Sequence, residues 1–367
     1  MKLTKYKLGD LIVQRKEKNN NYDVPIRGVS KDGFIRAKQQ EADTSIYNVF
    51  YKYDFVFNPA RMELNSIALN LEYDKALCSS LYEVFFVKDE SIVLPEFLNL
   101  HIKRDEFARH CDYIGLGSAR EYCRFANIAE FDIELPPIEI QKEIVEADRL
   151  IKKRININEQ MIQHLETTAQ ALYRKTFVDG IDKENLPKGR RKGTLSELAN
   201  ITMGQSPDGD TYNLDGNGTI FYQGRTDFGR RFPTARVYTT SPTRYAKEGD
   251  VLLSVRAPVG DLNIAPHHCC IGRGLASLRS KTDTQGYLYY QLQNLTDVFN
   301  VSDDEGTIFG SINKDDLYNI EIVIPKDEEM LIFENQVSII DKEIKLKDIE
   351  NNKLTELQSL LLAKMGQ

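Results

Sequence analysis

Residues 131–155 read FDIELPPIEIQKEIVEADRLIKKRI, and residues 320–344 read IEIVIPKDEEMLIFENQVSIIDKEI. Each opens on alternating apolar residues that run into a proline: Phe131, Ile133, Leu135 and Pro136 in one, Ile320, Ile322, Ile324 and Pro325 in the other. Alternation of period two marks a strand, and proline disfavours helix at the residue before it. Each stretch then changes to apolar steps of three and four, the helical period. The prolines stand 189 residues apart (325 − 136), and the offset persists without a gap. Ile144 matches Phe333, Ile151 matches Ile340, Ile155 matches Ile344, Leu165 matches Leu354 and Leu172 matches Leu361. A strand, a proline and a long amphipathic helix therefore recur once each. Such a tandem repeat is a pseudo-dimer in one chain, suited to partners that are themselves two-fold, such as duplex DNA or a pair of identical subunits.

Working outward, the repeat divides the chain into a first globular unit at 1–138, a long helix at 139–178, a linker at 179–192, a second globular unit at 193–326 and a second long helix at 327–367. Gly180, Pro187 and Gly189 mark the linker. The first helix carries an apolar seam through Ile144, Ile151, Ile155, Leu165 and Leu172, with the polar Asn158 within it. The second runs through Phe333, Val337, Ile340 and Ile344, turns polar at Lys347 and Asn351, and resumes at Leu354, Leu357 and Leu361. Polar residues inside a seam lower stability and fix register. A helix of 39 residues (139–177) spans roughly 58 Å, too long to bury its stripe on one small domain. Two such stripes most simply bury each other, and the short linker makes the pair antiparallel. The expected fold class is α+β: two β-rich domains separated by two long helices forming an antiparallel intramolecular coiled coil. The bland alternative is two unrelated surface helices, each capping its own domain.

Composition excludes several classes. Hydrophobic residues at 41% and charged residues at 28% give the balance of a soluble globular protein. No apolar run approaches the ~20 residues of a membrane span, so no membrane association is expected. The polar start and five cysteines without paired spacing point to the cytoplasm. The net charge of −7 argues against nucleic acid, but it is unevenly spread. Residues 183–193 hold five basic residues against one acid, 223–236 hold four against one, and 326–350 hold four against eight. The acids therefore concentrate on a helix and the bases on loops, so a local phosphate-binding face remains open.

The second unit has the clearer motifs: Gly204-Gln205-Ser206-Pro207, Tyr222-Gln223-Gly224, the run GDVLLSVRAPVG at 249–260, and Ile271-Gly272-Arg273-Gly274. Short apolar runs between Gly/Pro/Asp turns read as a β-rich domain. Arginine and glutamine on exposed turns can reach guanine and adenine edges, though such residues are also ordinary on any surface. The first unit is a looser copy. Its Asp54 to Arg61 stand where Asp250 to Arg256 stand, and Gly117-Ser118-Ala119-Arg120 precede its closing strand.

The catalytic motifs sought are missing. There is no Gly-x-x-x-x-Gly-Lys-Ser/Thr, and Gly272-Arg273-Gly274 lacks the third glycine and following helix of a dinucleotide site. Asn58-Pro59-Ala60 fails the Asn/Asp-Pro-Pro-aromatic pattern of an amino-methyltransferase, and Glu343-Ile344-Lys345 matches a nuclease Glu-x-Lys in letters only. His267-His268-Cys269-Cys270 puts successive side chains on opposite faces of a strand and cannot close one tetrahedral site, so no metal is expected.

With Gly-Gln-Ser-Pro (204–207), GDVLLSVRAPVG (249–260), IGRG (271–274), GSINKDDLYNIEIVIP (310–325) and LPPIEIQKEIV (135–145) in this order, nearly the whole chain resembles the specificity subunits of type I restriction–modification systems. The resemblance implies two target recognition domains separated by two conserved helices. It implies a non-catalytic subunit that reads a bipartite, asymmetric double-stranded DNA target, one half per domain. Its implied partners are two modification (methyltransferase) subunits carrying S-adenosylmethionine and two restriction (translocase/nuclease) subunits using ATP and Mg, in DNA methylation and phage defence. No cofactor is expected in the chain itself. The first unit departs from the family pattern: it lacks the Gly-x-Ser/Thr-Pro start. The alternatives are a degenerate methyltransferase or nuclease half, and a non-catalytic coiled-coil scaffold with protein-binding β domains.

For base contacts the candidates are Gln205, Ser206, Gln223, Arg225, Arg256 and Arg273 in the second domain, and Arg27, Ser30, Arg61, Ser118 and Arg120 in the first. For phosphates they are Lys188, Arg190, Arg191, Arg230 and Arg231, and for partner docking the exposed faces of the two helices.

Overall fold

The computed structural model describes residues 3–37, 43–115, 122–182, 184–296, 299 and 311–365. It resolves two compact units. One comprises residues 1–157 with 350–367, the other residues 158–349, so each unit holds a β-rich domain and one part of each long helix.

Each domain is built on a four-stranded antiparallel sheet of the same order. In the first unit Ile12–Arg15 lies beside Glu83–Val87, then Phe55–Phe57, then Ile67–Leu69. In the second, Ala199–Met203 lies beside Leu275–Ser280, then Val251–Ser254, then Leu262–Ile264. The repeat thus extends from the helices to the strand topology. One turn is also built twice. Asp54 accepts from the Tyr51 amide at 2.7 Å and pairs with Arg15, two strands away in the sheet, at 2.6 Å. Asp250 accepts from the Lys247 amide at 2.7 Å and pairs with Arg279 at 2.5 Å. Both carboxylates are buried, and burial raises the pKa of Asp54 against the opposing pull of Arg15. Outside this shared frame the units diverge. The second adds a five-stranded sheet (Tyr212–Asn213, Tyr238–Thr239, Thr219–Tyr222, Cys269–Ile271, Tyr245–Ala246), whereas the first has the hairpin Arg27–Ser30/Gly33–Arg36 and the pair Asn48–Tyr51/Lys75–Cys78.

The alternating stretches before the prolines are strands. Asp132–Leu135 pairs antiparallel with Thr4–Lys7, and Glu321–Ile324 with Arg191–Thr194, so the chain leaves each domain beside the point where it began. The helices follow at Ile138–Phe177 and Asp327–Lys364. They run antiparallel. In the first unit Arg154 meets Glu350 at 2.6 Å and Gln358 donates to Asp148 at 2.7 Å; in the second the Tyr173 and Phe177 rings meet Phe333 at 5.8 and 5.4 Å.

The inward positions alternate steps of three and four along both helices: 141, 144, 148, 151, 155, 158, 162, 165, 169 and 172, against 330, 333, 337, 340, 344, 347, 351, 354, 358, 361 and 365. That 3.5-residue repeat is the coiled-coil period. Ile151, Asn158, Phe333, Val337 and Ile344 are buried in it, while Ile144, Ile155, Leu165, Leu172, Ile340, Leu354 and Leu361 are half-buried. Leu357 is exposed, contrary to its place in the sequence pattern, because Gln358 occupies the heptad position. The frame also takes in the buried Gln141 and Asp148, which an apolar count passes over.

The helices are the floors of their domains. Fully buried Gln141 donates to the Ile92 and Pro136 carbonyls, both at 2.9 Å, and accepts from the Leu94 amide at 3.1 Å, at the start of helix Pro95–Ile102. In the second unit the Glu334 carboxylate accepts from the Gly286 and Tyr287 amides at 3.1 and 3.0 Å, in the first turn of helix Gln285–Asn294. Burial holds Glu334 above the usual carboxylate range. No described helix is long and apolar enough to cross a membrane. Gln141→Leu should strand three buried backbone groups and cost about 2–4 kcal/mol, read as a lower urea midpoint for unfolding of the first unit.

Candidate nucleic-acid interface

In the second unit, loops far apart in sequence are knitted together by backbone. The Gln205 amide donates to the Ile271 carbonyl at 3.0 Å, the Gly272 amide to Tyr222 at 2.8 Å, and the Val255 amide to Gly274 at 2.9 Å. Glycine is required at the crossings. A Cβ on Gly204 would stand 2.1 Å from the Gly272 carbonyl oxygen, and one on Gly272 would stand 2.8 Å from that of Gln223. The glycines of GQSP and IGRG therefore let these turns touch the YQG turn and each other, while Gln205, Gln223 and Arg273 beside the crossings are exposed.

Gln205, Gln223, Arg256 and Arg273 are exposed on this cluster and Ser206 is half-buried. The Ser206 hydroxyl accepts from the Arg273 amide at 3.3 Å. Buried Asp227 shapes the neighbouring turn by accepting from the Gln223 amide at 2.6 Å and pairing with Arg236 at 2.5 Å. Arg225 is exposed and ion-paired with Asp261. All six candidates of the second domain thus stand on one connected set of loops. Sequence reading missed Arg244, which is exposed and whose carbonyl accepts from the Ile271 amide at 2.9 Å; no motif surrounds it.

In the first unit Arg27, Ser30 and Arg61 line one cavity of about 1200 Å³. Lys31, Arg36 and Lys103 also line it, making five basic residues with Arg27 and Arg61 against the acids Asp32, Glu63 and Asp105. Arg27 is partly held, donating to the Tyr73 hydroxyl at 2.8 Å and lying over that ring. Ser30 closes its own hairpin turn, its hydroxyl donating to the Gly33 carbonyl at 3.3 Å. Desolvation, and then nearby Lys152, lower the pKa of Lys103, so an anion in the cavity would relieve it. The sequence signal for Lys31 was the Lys31-Asp32-Gly33 hairpin turn; Lys103 had none. Ser118 and Arg120 lie outside the described residues.

The phosphate candidates separate. Lys188 is exposed, and Arg191 is exposed though paired with Glu197 at 2.6 Å. Arg230 is turned onto the first helix, reaching Glu166 at 2.9 Å. Arg190 and Arg231 do not face solvent. Arg190 bridges the helices, pairing with Glu329 at 3.0 Å and donating to the Thr176 carbonyl at 2.9 Å. Arg231 is 2% exposed and pairs with Asp341 at 2.5 Å. Neither guanidinium is free to meet a phosphate, because each is committed to a carboxylate of the second helix. His267 and His268 are exposed while Cys269 and Cys270 are buried in a strand, and among the described residues no group of three or more His, Cys, Asp or Glu is placed to hold a metal.

Residues 3–167 and 187–359 match the type I restriction modification DNA specificity domain, and the chain belongs to that family. A Methanocaldococcus jannaschii protein, provisionally named type I restriction enzyme MjaX specificity subunit, is 32% identical over 243 residues. That match takes in 63% of this chain and 57% of the relative, so the chain spans little more than half of the relative's length. The type I restriction enzyme HindI specificity subunit of Haemophilus influenzae is 21% identical over 355 residues, covering 75% of this chain and 77% of that one. The fold is similar to the type I restriction–modification system S subunit from M. genitalium, with a TM-score of 0.64 at 14% identity over 100% of this chain and 96% of that one.

Gly204→Ala should force apart the GQSP and IGRG turns and cost about 1–3 kcal/mol. The check is a lower urea midpoint at unchanged slope.

Proposed function

We propose that this chain is the DNA sequence-specificity subunit of a type I restriction–modification complex, without catalytic chemistry of its own. The observation that carries the reading is the glycine-knit cluster that gathers Gln205, Gln223, Arg225, Arg256 and Arg273 on one set of exposed loops. Those are side chains with the donor and acceptor geometry to read base edges. With residues 193–326 reading one half of a split, asymmetric target and 1–138 the other, the basic cavity around Arg27 and Arg61 serves the second half. Lys188 and Arg191 contact phosphates.

The helices at 139–178 and 327–367 recruit two modification subunits, which bring S-adenosylmethionine; two restriction subunits add ATP- and Mg-dependent cleavage. Leu150, Ile157 and Met161 on the first helix, and Ile339 and Leu346 on the second, are exposed and support docking there. The complex works in the cytoplasm. A net charge of −7 makes the isolated chain a poor DNA ligand, so its partners help close round the duplex.

The test is a methylation map: the chain is expressed with its modification subunit, and modified adenines are located across a genome. A split motif with one fixed spacer supports the reading. A soluble complex that methylates without sequence preference would replace it with the protein-binding scaffold. Within a working complex, Arg273→Ala should relax one position of one half-site by ~1–3 kcal/mol, and Lys188→Ala should weaken all sites alike and lower the salt slope of binding by ~1.

A further inference from the structure

Arg231 is the largest fully buried side chain among the described residues. A buried guanidinium persists only where its charge is paired. Here one nitrogen donates to Asp341 on the second long helix at 2.5 Å and another to the Tyr290 hydroxyl at 3.3 Å. Tyr290 also donates to Asp341 at 2.8 Å, and the guanidinium lies over the Tyr289 ring, 4.5 Å from its centre. The residue before it, Arg230, grips the other helix: it donates to the Glu166 carboxylate at 2.9 Å and to the Glu159 carbonyl at 3.4 Å. Adjacent side chains of one loop thus hold both helices.

The same loop is tied to the reading surface. Asn263 exchanges two hydrogen bonds with the Gly229 backbone, both at 3.1 Å, and the Ile264 amide donates to the Arg231 carbonyl at 2.8 Å. Those residues lie on the edge strand Leu262–Ile264, next to Asp261, which pairs with Arg225. On the other side the Thr234 amide donates to the carbonyl of Asp227, the residue that shapes the Gln223 turn, at 2.8 Å. A Cβ on Gly229 would stand 2.5 Å from the Phe232 carbonyl oxygen, so the tight bend that sends the two arginines to the helices needs glycine. The first unit has no counterpart at the repeat offset: the position of Asp341 is Lys152, which pairs with Asp148 of its own helix at 2.6 Å, and that of Glu166 is Thr355.

We propose that residues 229–232 form a two-point buckle that sets the pose of the second domain on the helix pair, with Arg231 and Asp341 as its positioning residues. The proposal rests on the recognition reading above. The buckle fixes where Gln223 and Arg225 stand along the duplex, so it governs how strictly the spacer between half-sites is enforced, without contacting a base. A domain grafted in place of 193–326 needs an arginine equivalent to Arg231, or it leaves half-buried Asp341 without its guanidinium partner.

The experiment uses the full complex with its modification subunit. Methylation rates are compared, within one mixture, on DNA carrying the wild-type split motif and on copies with the spacer one base pair shorter or longer. Wild type should prefer its own spacer. Asp341→Ala should reduce that preference at least tenfold while the sequence of each half stays the same, and Glu166→Gln should reduce it a few-fold. A ratio taken within one sample is unmoved by a lower folded fraction, which is all that a merely structural role would produce. Because Asp341→Ala strands a buried charge, the double variant Arg231→Met/Asp341→Leu removes both charges and keeps the volume. If that folded double variant holds the wild-type spacer preference, the buckle is wrong while the recognition reading stands. A wild-type complex with no split motif would overturn both.

Discussion

Two carboxylates of the second long helix hold the second domain in place and a third fastens the linker, and much of that unit is arranged round them. Glu329 pairs with Arg190 of the linker, Glu334 accepts two amides from the first turn of a domain helix, and Asp341 receives the buried Arg231. Removing a carboxylate from water is costly unless its oxygens find donors of fixed geometry. Each site therefore tolerates little displacement. An apolar stripe alone would let the domain slide along the helix, since hydrophobic contact is non-directional. These pairs give the contact a single register.

The fold was largely legible in the sequence because its signals are periodic. The change from period two to a helical spacing at Pro136 and Pro325 located a strand and a helix twice. The matching strand order of the two four-stranded sheets shows that the 189-residue repeat was structural as well as statistical. Less legible were the polar members of the seam. Gln141, Asp148 and Gln358 occupy heptad positions, but a count of apolar residues steps over them and moves the seam to the exposed Leu357. Apart from the Lys152–Asp148 pair along one helix, their partners are backbone groups and one another, which no spacing rule reveals.

Charge was the least legible feature. The sequence shows basic loops beside an acidic helix, and the direct reading sends the bases to phosphate. The structure commits Arg190 and Arg231 to carboxylates of that helix and turns Arg230 onto Glu166 of the first helix. Sequence gives the sign and the neighbourhood of a charge but not its burial, and burial decides whether an arginine is a surface contact or a fastening. The glycine motifs behave oppositely. GQSP and IGRG are recognisable as turns, and only their convergence, with a carbonyl where each Cβ would be, awaited the structure.

The division between shared and divergent parts follows the same physics. What the units have in common is what a sheet and a helix need in order to close: the strand order, the buried Asp54–Arg15 and Asp250–Arg279 turns, and the antiparallel strand beside each proline. What differs lies outside that frame, in the extra strands and the loops they carry. The buckle at Gly229–Phe232 crosses this line. It belongs to a divergent loop yet is anchored in the helix through Asp341. A loop free to vary in what it contacts is thereby restrained in where it stands. A domain that exchanges its reading surface while keeping a common support needs that combination.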